Sequence, residues 1–257
     1  MNKDYLDQIR QNTARDRLRM RYDLLWSGTI ERIRAGKVEL DPVLEAQAQD
    51  QRRGLTVIAR PSLAVRQRVA VFLRQLRRIE PTQYYYSPFE FHITILSLFT
   101  ATVKHEAFIS QTEQYSSAVD SALRKALPIR IEFKGVTASP GTIMIQGFFE
   151  TDALNDVRDV LRGQLRARGL ADGLDRRYRL ESAHMTVARF CAPLCESKRF
   201  AAVLELARGR SFGAFTIRRL SLVKNDWYMS HRVTETLKRY RLTRTALAAA
   251  SKHKPHP

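Results

Sequence analysis

Long apolar runs are missing from this chain of 257 residues. None reaches the eighteen or so residues that a membrane-spanning helix needs, so no transmembrane segment and no membrane partner are expected. The opening stretch, Met1-Asn2-Lys3-Asp4-Tyr5-Leu6-Asp7, has no apolar signal core. These absences lead to the expectation of a cytoplasmic protein. Cysteine is scarce: Cys191 and Cys195 are the only two. No second Cys or His pair stands at ligand spacing from them, which argues against a zinc site and for two reduced thiols. No metal-ligand spacing is found elsewhere, and neither metal nor cofactor is expected. Acidic residues are also in deficit, 26 against 44 Lys and Arg, for a formal net charge of +18.

That deficit is uneven. Residues 1–50 hold nine basic and nine acidic residues, residues 51–240 hold 31 and 17, and residues 241–257 hold four and none. The excess therefore sits on the middle of the chain. It reads either as an Arg-rich soluble surface or as a field that draws in a polyanion and holds its phosphates.

Within that basic region lies Phe89-Glu90-Phe91-His92-Ile93-Thr94-Ile95-Leu96. As a strand it puts Phe89, Phe91, Ile93 and Ile95 on one face and Glu90, His92 and Thr94 on the other. Such a strand looks like the floor of a groove. The pattern returns 92 positions later in Leu180-Glu181-Ser182-Ala183-His184-Met185-Thr186-Val187-Ala188. There Ala183, Met185 and Val187 are the apolar side and Ser182, His184 and Thr186 the polar side. One His-x-Thr alone reads as a hydrogen-bonded core histidine. Two copies in matching strands point to a shared site.

These residues carry a family resemblance. His92-Ile93-Thr94-Ile95 and His184-Met185-Thr186-Val187-Ala188-Arg189 resemble the two His-hydrophobic-Thr/Ser-hydrophobic motifs of the two-histidine (2H) phosphoesterase superfamily. That group includes LigT-like "2′-5′ RNA ligase" proteins and RNA 2′,3′-cyclic phosphodiesterases. The second copy is the closer match, since the LigT-like branch typically continues as Leu-Ala-Arg. In the first, Leu96-Ser97-Leu98-Phe99 stands where Lys-Phe-Leu-Gly is frequent, which leaves subfamily and substrate open. The resemblance spans roughly residues 54–240. It implies a metal-independent enzyme with His92 and His184 flanking a phosphate. In some members the first histidine is the acid and the second the base.

The residues allow the same chemistry unaided. Imidazole titrates near neutrality, so a pair supplies complementary acid and base. Cleaving a cyclic phosphodiester needs both, plus donors for the charge on the non-bridging oxygens. Thr94 and Thr186, each on the face of its histidine, are the candidate donors. Arg189 stands three residues past Thr186, on the opposite parity. In a regular strand it leaves the groove, as an ion-pair residue or a phosphate contact. Tyr84-Tyr85-Tyr86 reads as a strand with one tyrosine inside or as a stacking platform for a base, with Tyr86 the candidate contact. Trp227-Tyr228 lie between the last strands and either close over a base or pack on themselves. Glu90 orients an imidazole or sits at the rim. His105, His231, His253 and His256 are not assigned to the site.

The fold class expected is α+β. Residues 3–35 read as one long helix or two in series, with Tyr22, Leu25/Trp26, Thr29/Ile30 and Ile33 at helical spacing and Gly36 as the stop. Asp41-Pro42 caps a short helix to about Gln51. A strand from Gly54 ends at Pro61. Ser62 caps a helix to about Ile79, with Leu63, Val69/Ala70, Leu73 and Leu76 inward. A helix over 104–126, a hairpin around Ser139-Pro140-Gly141 and a helix from Thr151-Asp152 to Gly169 follow. A polar loop, the second histidine strand, a helix near 196–208, one strand from Phe212 to Val223 and another over 233–242 complete the order. The tail from Thr243 on reads as disordered or partly helical. A motif strand after a helix in each half suggests duplicated βαβ-type units. The resemblance implies two pseudo-symmetric lobes of mostly antiparallel sheet with outer helices, meeting at a central groove. The domain reading is a helical extension over 1–53 packed on its own domain or on another subunit, a bilobal domain over 54–242, and a basic tail over 243–257.

Three functions compete. One is a cyclic phosphodiesterase acting on 2′,3′-cyclic phosphate RNA ends or small cyclic nucleotides, with RNA or a nucleotide phosphate as partner. The others are a non-catalytic nucleotide or RNA-end binding module and a reversible 2′-5′ RNA ligase.

Overall fold

The computed structural model describes residues 13–175 and 178–243. The expected helical start over 3–12, part of the polar loop (176–177), and the tail from 244 on with His253 and His256 lie outside the described residues.

Apolar spacing and capping build the elements in order. Thr13 caps α1 (Ala14–Ser27), its hydroxyl accepting from the Asp16 N–H. A short α2 (Ile30–Arg34) follows. Gly36 then takes φ +69°, a left-handed stop that glycine adopts without strain. Leu18, Tyr22, Ile30 and Ile33 turn inward, whereas Leu25, expected on that face, is exposed. Asp41 caps a 3-10 stretch over Pro42–Gln49. β1 (Arg53–Ala59) leads to Ser62, which caps α3 (Leu63–Ile79). In α3 the buried stripe is Val65, Val69, Phe72, Leu73, Leu76 and Ile79; Leu63, in the first turn, points to solvent.

The remaining elements are β2 (Tyr84–Tyr85), β3 (Ile93–Thr102), α4 (Glu106–Ile109), α5 (Thr112–Leu123), β4 (Ile129–Ser139), β5 (Thr142–Phe148), α6 (Ala153–Ala167), β6 (Met185–Arg189), α7 (Ser197–Leu206), β7 (Ser211–Ile217), β8 (Arg219–Asn225) and β9 (Glu235–Arg241). The strands form two sheets, in the orders β3-β1-β8-β9 and β2-β6-β5-β4-β7. Every neighbouring pair is antiparallel. The class is α+β in two lobes, but the units are not βαβ crossovers, since β1 and β3 pair antiparallel.

Three features depart from the simple reading. The strand expected from Phe212 to Val223 is two strands, β7 and β8, in different sheets. The chain passes between lobes at Arg218, whose carbonyl accepts from the Leu242 N–H. Phe89 does not extend the first histidine strand: it lies in a turn, 64% exposed, and stacks on His231. The helices cross over between lobes. α3, from the first half of the chain, packs on β7 of the second sheet, with Phe72 edge-on to Phe212 at 5.6 Å. α6, from the second half, packs behind β3 of the first sheet and beside α5.

The N-terminal helices lie on the second sheet. The buried Tyr22 hydroxyl donates to the Gly147 carbonyl at 3.0 Å and accepts from the Gly147 N–H at 3.2 Å. Arg15 pairs with Glu132 and Glu150, Arg17 with Asp152, Arg21 with Glu181 and Arg34 with Glu205. These ion pairs lie half-buried at the surface and each is worth little alone; the Leu18 and Tyr22 contacts carry the docking.

Candidate active site

Both motif histidines sit one residue before a strand: His92 before β3 and His184 before β6. The loop ahead of His92 is tied down from several sides. Arg60, at the end of β1, donates to the carbonyls of Phe89 at 2.8 Å and Phe91 at 3.3 Å. The Glu90 carboxylate accepts from the N–H groups of Ser87 and His231, so it braces the loop instead of facing the groove. Ahead of His184 the chain approaches β5 closely. A side chain at Gly147 would put its Cβ 2.0 Å from the Ala183 carbonyl oxygen, so only glycine fits there.

The strands then break the alternation that the sequence pattern assumes. In β3 the partner of Val57 is Leu96 and that of Ile58 is Thr94, which leaves Ile95 as an extra residue. In β6 the partner of Ile143 is Ala188 and that of Met144 is Thr186, which leaves Val187 extra. Each is a β-bulge, which shifts the side-chain parity beyond it by one. Arg189 therefore returns to the face of Thr186, and Ser97 to the face of Thr94. The expectation that Arg189 leaves the groove is corrected by that one residue. The exposure pattern agrees: Thr94 and Ser97 are half-buried between buried neighbours, and so are Thr186 and Arg189.

One cavity of about 210 Å³ collects these groups: His92, Thr94 and Ser97 from the first sheet's side, and His184, Thr186 and Arg189 from the second. The two halves are joined directly by β2. Although it precedes β3 in the chain, it pairs with β6 in the other sheet, and the Tyr86 N–H donates to the Val187 carbonyl at 3.1 Å.

The two imidazoles are anchored differently. His92 Nδ1 lies 2.8 Å from the Glu90 carbonyl oxygen, an acceptor only, so Nδ1 carries the hydrogen and Nε2 is left for the cavity. His184 Nδ1 lies 2.8 Å from the Ser182 hydroxyl, which can donate or accept. Burial pushes both rings down to about 4, so both are neutral at neutral pH. After burial, the hydrogen bond to the Glu90 carbonyl opposes the depression at His92, the Arg60 and Arg189 charges add to it, and the Arg158 charge adds to that at His184. Among the described residues, the Thr94 and Thr186 hydroxyls have no hydrogen-bond partner, which leaves them open to a ligand.

Arg189 is held from behind. Its Nε donates to the Tyr86 hydroxyl at 2.8 Å, its terminal nitrogen lies 3.7 Å from the Asp41 carboxylate, and its guanidinium stands 5.5 Å over the Tyr228 ring. Burial alone would lower it, but the Tyr86 hydroxyl and Asp41 hold it firmly charged. Tyr86 is thus 4% exposed, edge-on to Tyr84 at 5.0 Å, and offers its hydroxyl to Arg189, not a free ring face to a base. Of the two readings of the tyrosine triplet, the packed tyrosine is the one seen at Tyr86, which still lines the cavity. Trp227 and Tyr228 do line the cavity. Tyr228 donates to Asp41 at 3.0 Å, and Arg52 covers the Trp227 ring at 4.7 Å. His105 and His231 lie off the cavity, bonded to Thr102 and stacked on Phe89 respectively.

Five contributors escape a reading of the sequence alone. Ser97 and Thr56 reach the cavity because of register, which pattern alone does not specify. Asp41 reads in sequence only as a cap, and its contact with Tyr228 spans most of the chain. Arg158 and Arg162 are buried at 0% and 1% exposure. A signal for these two exists: on α6 they fall in the stripe set by Leu154, Val157, Leu161 and Leu165, where an arginine is out of place unless it is bonded inside. Among the described residues, no group of three His, Cys, Asp or Glu side chains gathers as a metal site would require, and no helix is long and apolar enough to cross a membrane.

No protein-family model and no curated protein matches the chain. Solved structures do match it. The protein TT0787 of Thermus thermophilus is 17% identical, with 74% of this chain and 97% of that one covered and a TM-score of 0.53. A crystal structure of a phosphoesterase is 14% identical, over 75% of this chain and 99% of that one, with a TM-score of 0.50. E. coli LigT in complex with 3′-AMP is 13% identical, over 76% and 99%, with a TM-score of 0.50. With two antiparallel lobes and a histidine at the head of one strand in each, this chain has a LigT-like fold.

Proposed function

We propose that this chain is a metal-independent phosphodiesterase that hydrolyses cyclic phosphodiesters, either 2′,3′-cyclic phosphate RNA ends or small cyclic nucleotides. One observation carries the reading: two His-x-Thr motifs from opposite sheets line a single cavity, with Arg189 beside them. The positive charge of the surrounding domain suits an RNA or nucleotide phosphate. The 3′-AMP complex of LigT, a protein of the same fold, adds support for a nucleotide-phosphate ligand.

In this scheme the substrate phosphate lies between the two imidazoles. The Thr94 and Thr186 hydroxyls and the Arg189 guanidinium donate to its non-bridging oxygens, where charge builds in the transition state. Both histidines are neutral at neutral pH, and the arriving anion raises their proton affinity, so that one protonates. The carbonyl behind His92 favours a charged ring, which makes His92 the acid. His184 takes a proton from the water that attacks phosphorus. His92 Nε2 gives its proton to the ribose oxygen as the P–O bond breaks. The product is a phosphomonoester with one free ribose hydroxyl.

The test is hydrolysis of a 2′,3′-cyclic nucleotide and of a cyclic-phosphate RNA end in EDTA. Wild type should turn over, and His92→Ala and His184→Ala should each lose about 10²–10⁴-fold in kcat. Equal turnover in all three excludes the mechanism. Tight mononucleotide binding by calorimetry without product by mass spectrometry would favour the binding module. Joining of cyclic-phosphate and 5′-hydroxyl ends would favour the ligase.

A further inference from the structure

Arg158 is a cation with no surface open to solvent, its side chain fully buried on α6. Its helical neighbour Arg162 is neutralised by Asp159 at 2.9 Å and Asp175 at 2.6 Å. Arg158 has no carboxylate within ion-pair distance among the described residues. Its partners are all neutral oxygens. Nε donates to the Ile95 carbonyl at 2.8 Å. One terminal nitrogen donates to the Thr94 carbonyl at 3.0 Å and the Ser182 carbonyl at 2.7 Å, and the other to Asn155 Oδ1 at 3.0 Å. Burying an unpaired cation is expensive, so it persists only where its hydrogen bonds are fully made.

Those acceptors are not a random set. Ile95 is the bulge residue of the first motif, whose backbone the sheet leaves unpaired. Thr94 is that motif's hydroxyl residue. Ser182 belongs to the second motif, and its hydroxyl is the partner of the His184 ring. The equivalent carbonyl in the second motif, that of Val187, is filled by the Tyr86 N–H instead. A guanidinium is a flat, rigid fork, and a lysine at the same place offers one point donor. Because α6 crosses behind β3, one side chain holds backbone from both motifs.

We propose that Arg158 is the positioning residue of this site, a single buried guanidinium that locks the two motif backbones to each other and so fixes the separation of the His92 and His184 rings. This rests on the phosphodiesterase reading for its kinetic consequence but not for its structural one. Arg158 touches neither imidazole nor, by its burial, a ligand. Its loss should therefore slow the chemical step more than it weakens binding. A misplacement of reacting groups by an ångström is worth about 10²-fold in rate. Burial does most to keep the nearby His184 ring neutral, and the Arg158 charge adds to it, which suits a base.

The experiment uses the full chain with Arg158→Lys, Arg158→Met and Asn155→Ala, and with Leu161→Ala as a core control on the same helix. Three quantities are read: melting temperature, kcat and KM on a 2′,3′-cyclic nucleotide in EDTA, and the ring resonances of His92 and His184 by NMR. Arg158→Lys should fold and lose about 30-fold or more in kcat with KM within about threefold. Both histidine resonances should move in that variant. Asn155→Ala, which removes one acceptor at the helix surface, should fold and give the same pattern at a few-fold. Leu161→Ala should lower the melting temperature while both resonances and kcat stay near wild type. Wild-type kcat in folded Arg158→Lys, movement of only one ring, or a matching kcat loss in Leu161→Ala would each overturn the proposal. If Arg158→Met and Arg158→Lys fail to fold, Asn155→Ala decides it: unmoved rings overturn the strut. A wild type with no turnover sinks the phosphodiesterase reading, and the ring resonances still judge Arg158.

Discussion

The two motif strands face the cavity alike and are supported unlike. Each runs His, apolar, Thr, bulge, apolar, then a side chain returned to the groove. Behind that shared pattern the lobes diverge. β3 is an edge strand, and its bulge carbonyl is held by a side chain, Arg158. β6 lies between β2 and β5, and its bulge carbonyl is held by backbone, the Tyr86 N–H. The side chain that returns to the groove is neutral Ser97 in one lobe and Arg189 in the other. The ring anchor is a carbonyl behind His92 and a hydroxyl behind His184. Symmetry of placement with asymmetry of support suits the proposed reaction, in which one histidine gives a proton and its twin takes one.

The sharpest way to break the comparison is to remove the histidines together. The double variant His92→Ala/His184→Ala should be no slower than the worse single variant, because the proposed scheme has acid and base act in one step. A product of the two single losses would mean that the rings act independently. Next comes the pair of residues beyond the bulges. Arg189→Ala should cost about 10–100-fold in kcat/KM, the worth of one or two hydrogen bonds to a charged group. Ser97→Ala should stay within about twofold, and a large effect there would show that the lobes bind the phosphate equally.

Acid stability gives a third, smaller effect. Both rings sit near 4 in the folded chain against about 6.5 unfolded. Above 6.5 neither state binds these protons and stability is unaffected. As pH falls from 6.5 towards 4 the unfolded chain takes up protons that the native rings refuse, so stability is lost. Discounted for the open edge each ring keeps, the loss should be about 2 kcal/mol, measurable by urea unfolding at pH 7 and pH 4.5. His92→Asn/His184→Asn should lack this part of the dependence. Last is Ser182→Ala, which strips the hydroxyl from behind His184 and should cut kcat about threefold to tenfold with KM unchanged. An unchanged kcat would show that the anchoring difference is idle.

How far the molecule is legible from its sequence depends on range. The His-x-Thr pairs, the Asp41 and Ser62 caps and the 139–141 hairpin are local patterns, and local physics decides them. The Arg189 orientation is not among them, because a bulge depends on the partner strand and not on the strand's own residues. The split at Arg218 is hidden because β7 and β8 run on without a turn residue between them. Arg158 is visible as an arginine in a leucine stripe, but its acceptors lie 63 and 24 positions away in sequence. Tyr86 is legible as a site residue but not in the surface it presents, since its hydroxyl partner is 103 positions distant.

The strand exchange at β2 has a consequence for how the molecule comes into being. A first fragment made alone would leave the Tyr84–Tyr85 pair without β6 and α3 without β7, the strand it covers. A second fragment alone would leave both edges of β6 unpaired. Order must therefore arrive late and at once, after the ribosome has released most of the chain. Fragments severed in the loop near residue 175 should regain structure only by reassociating.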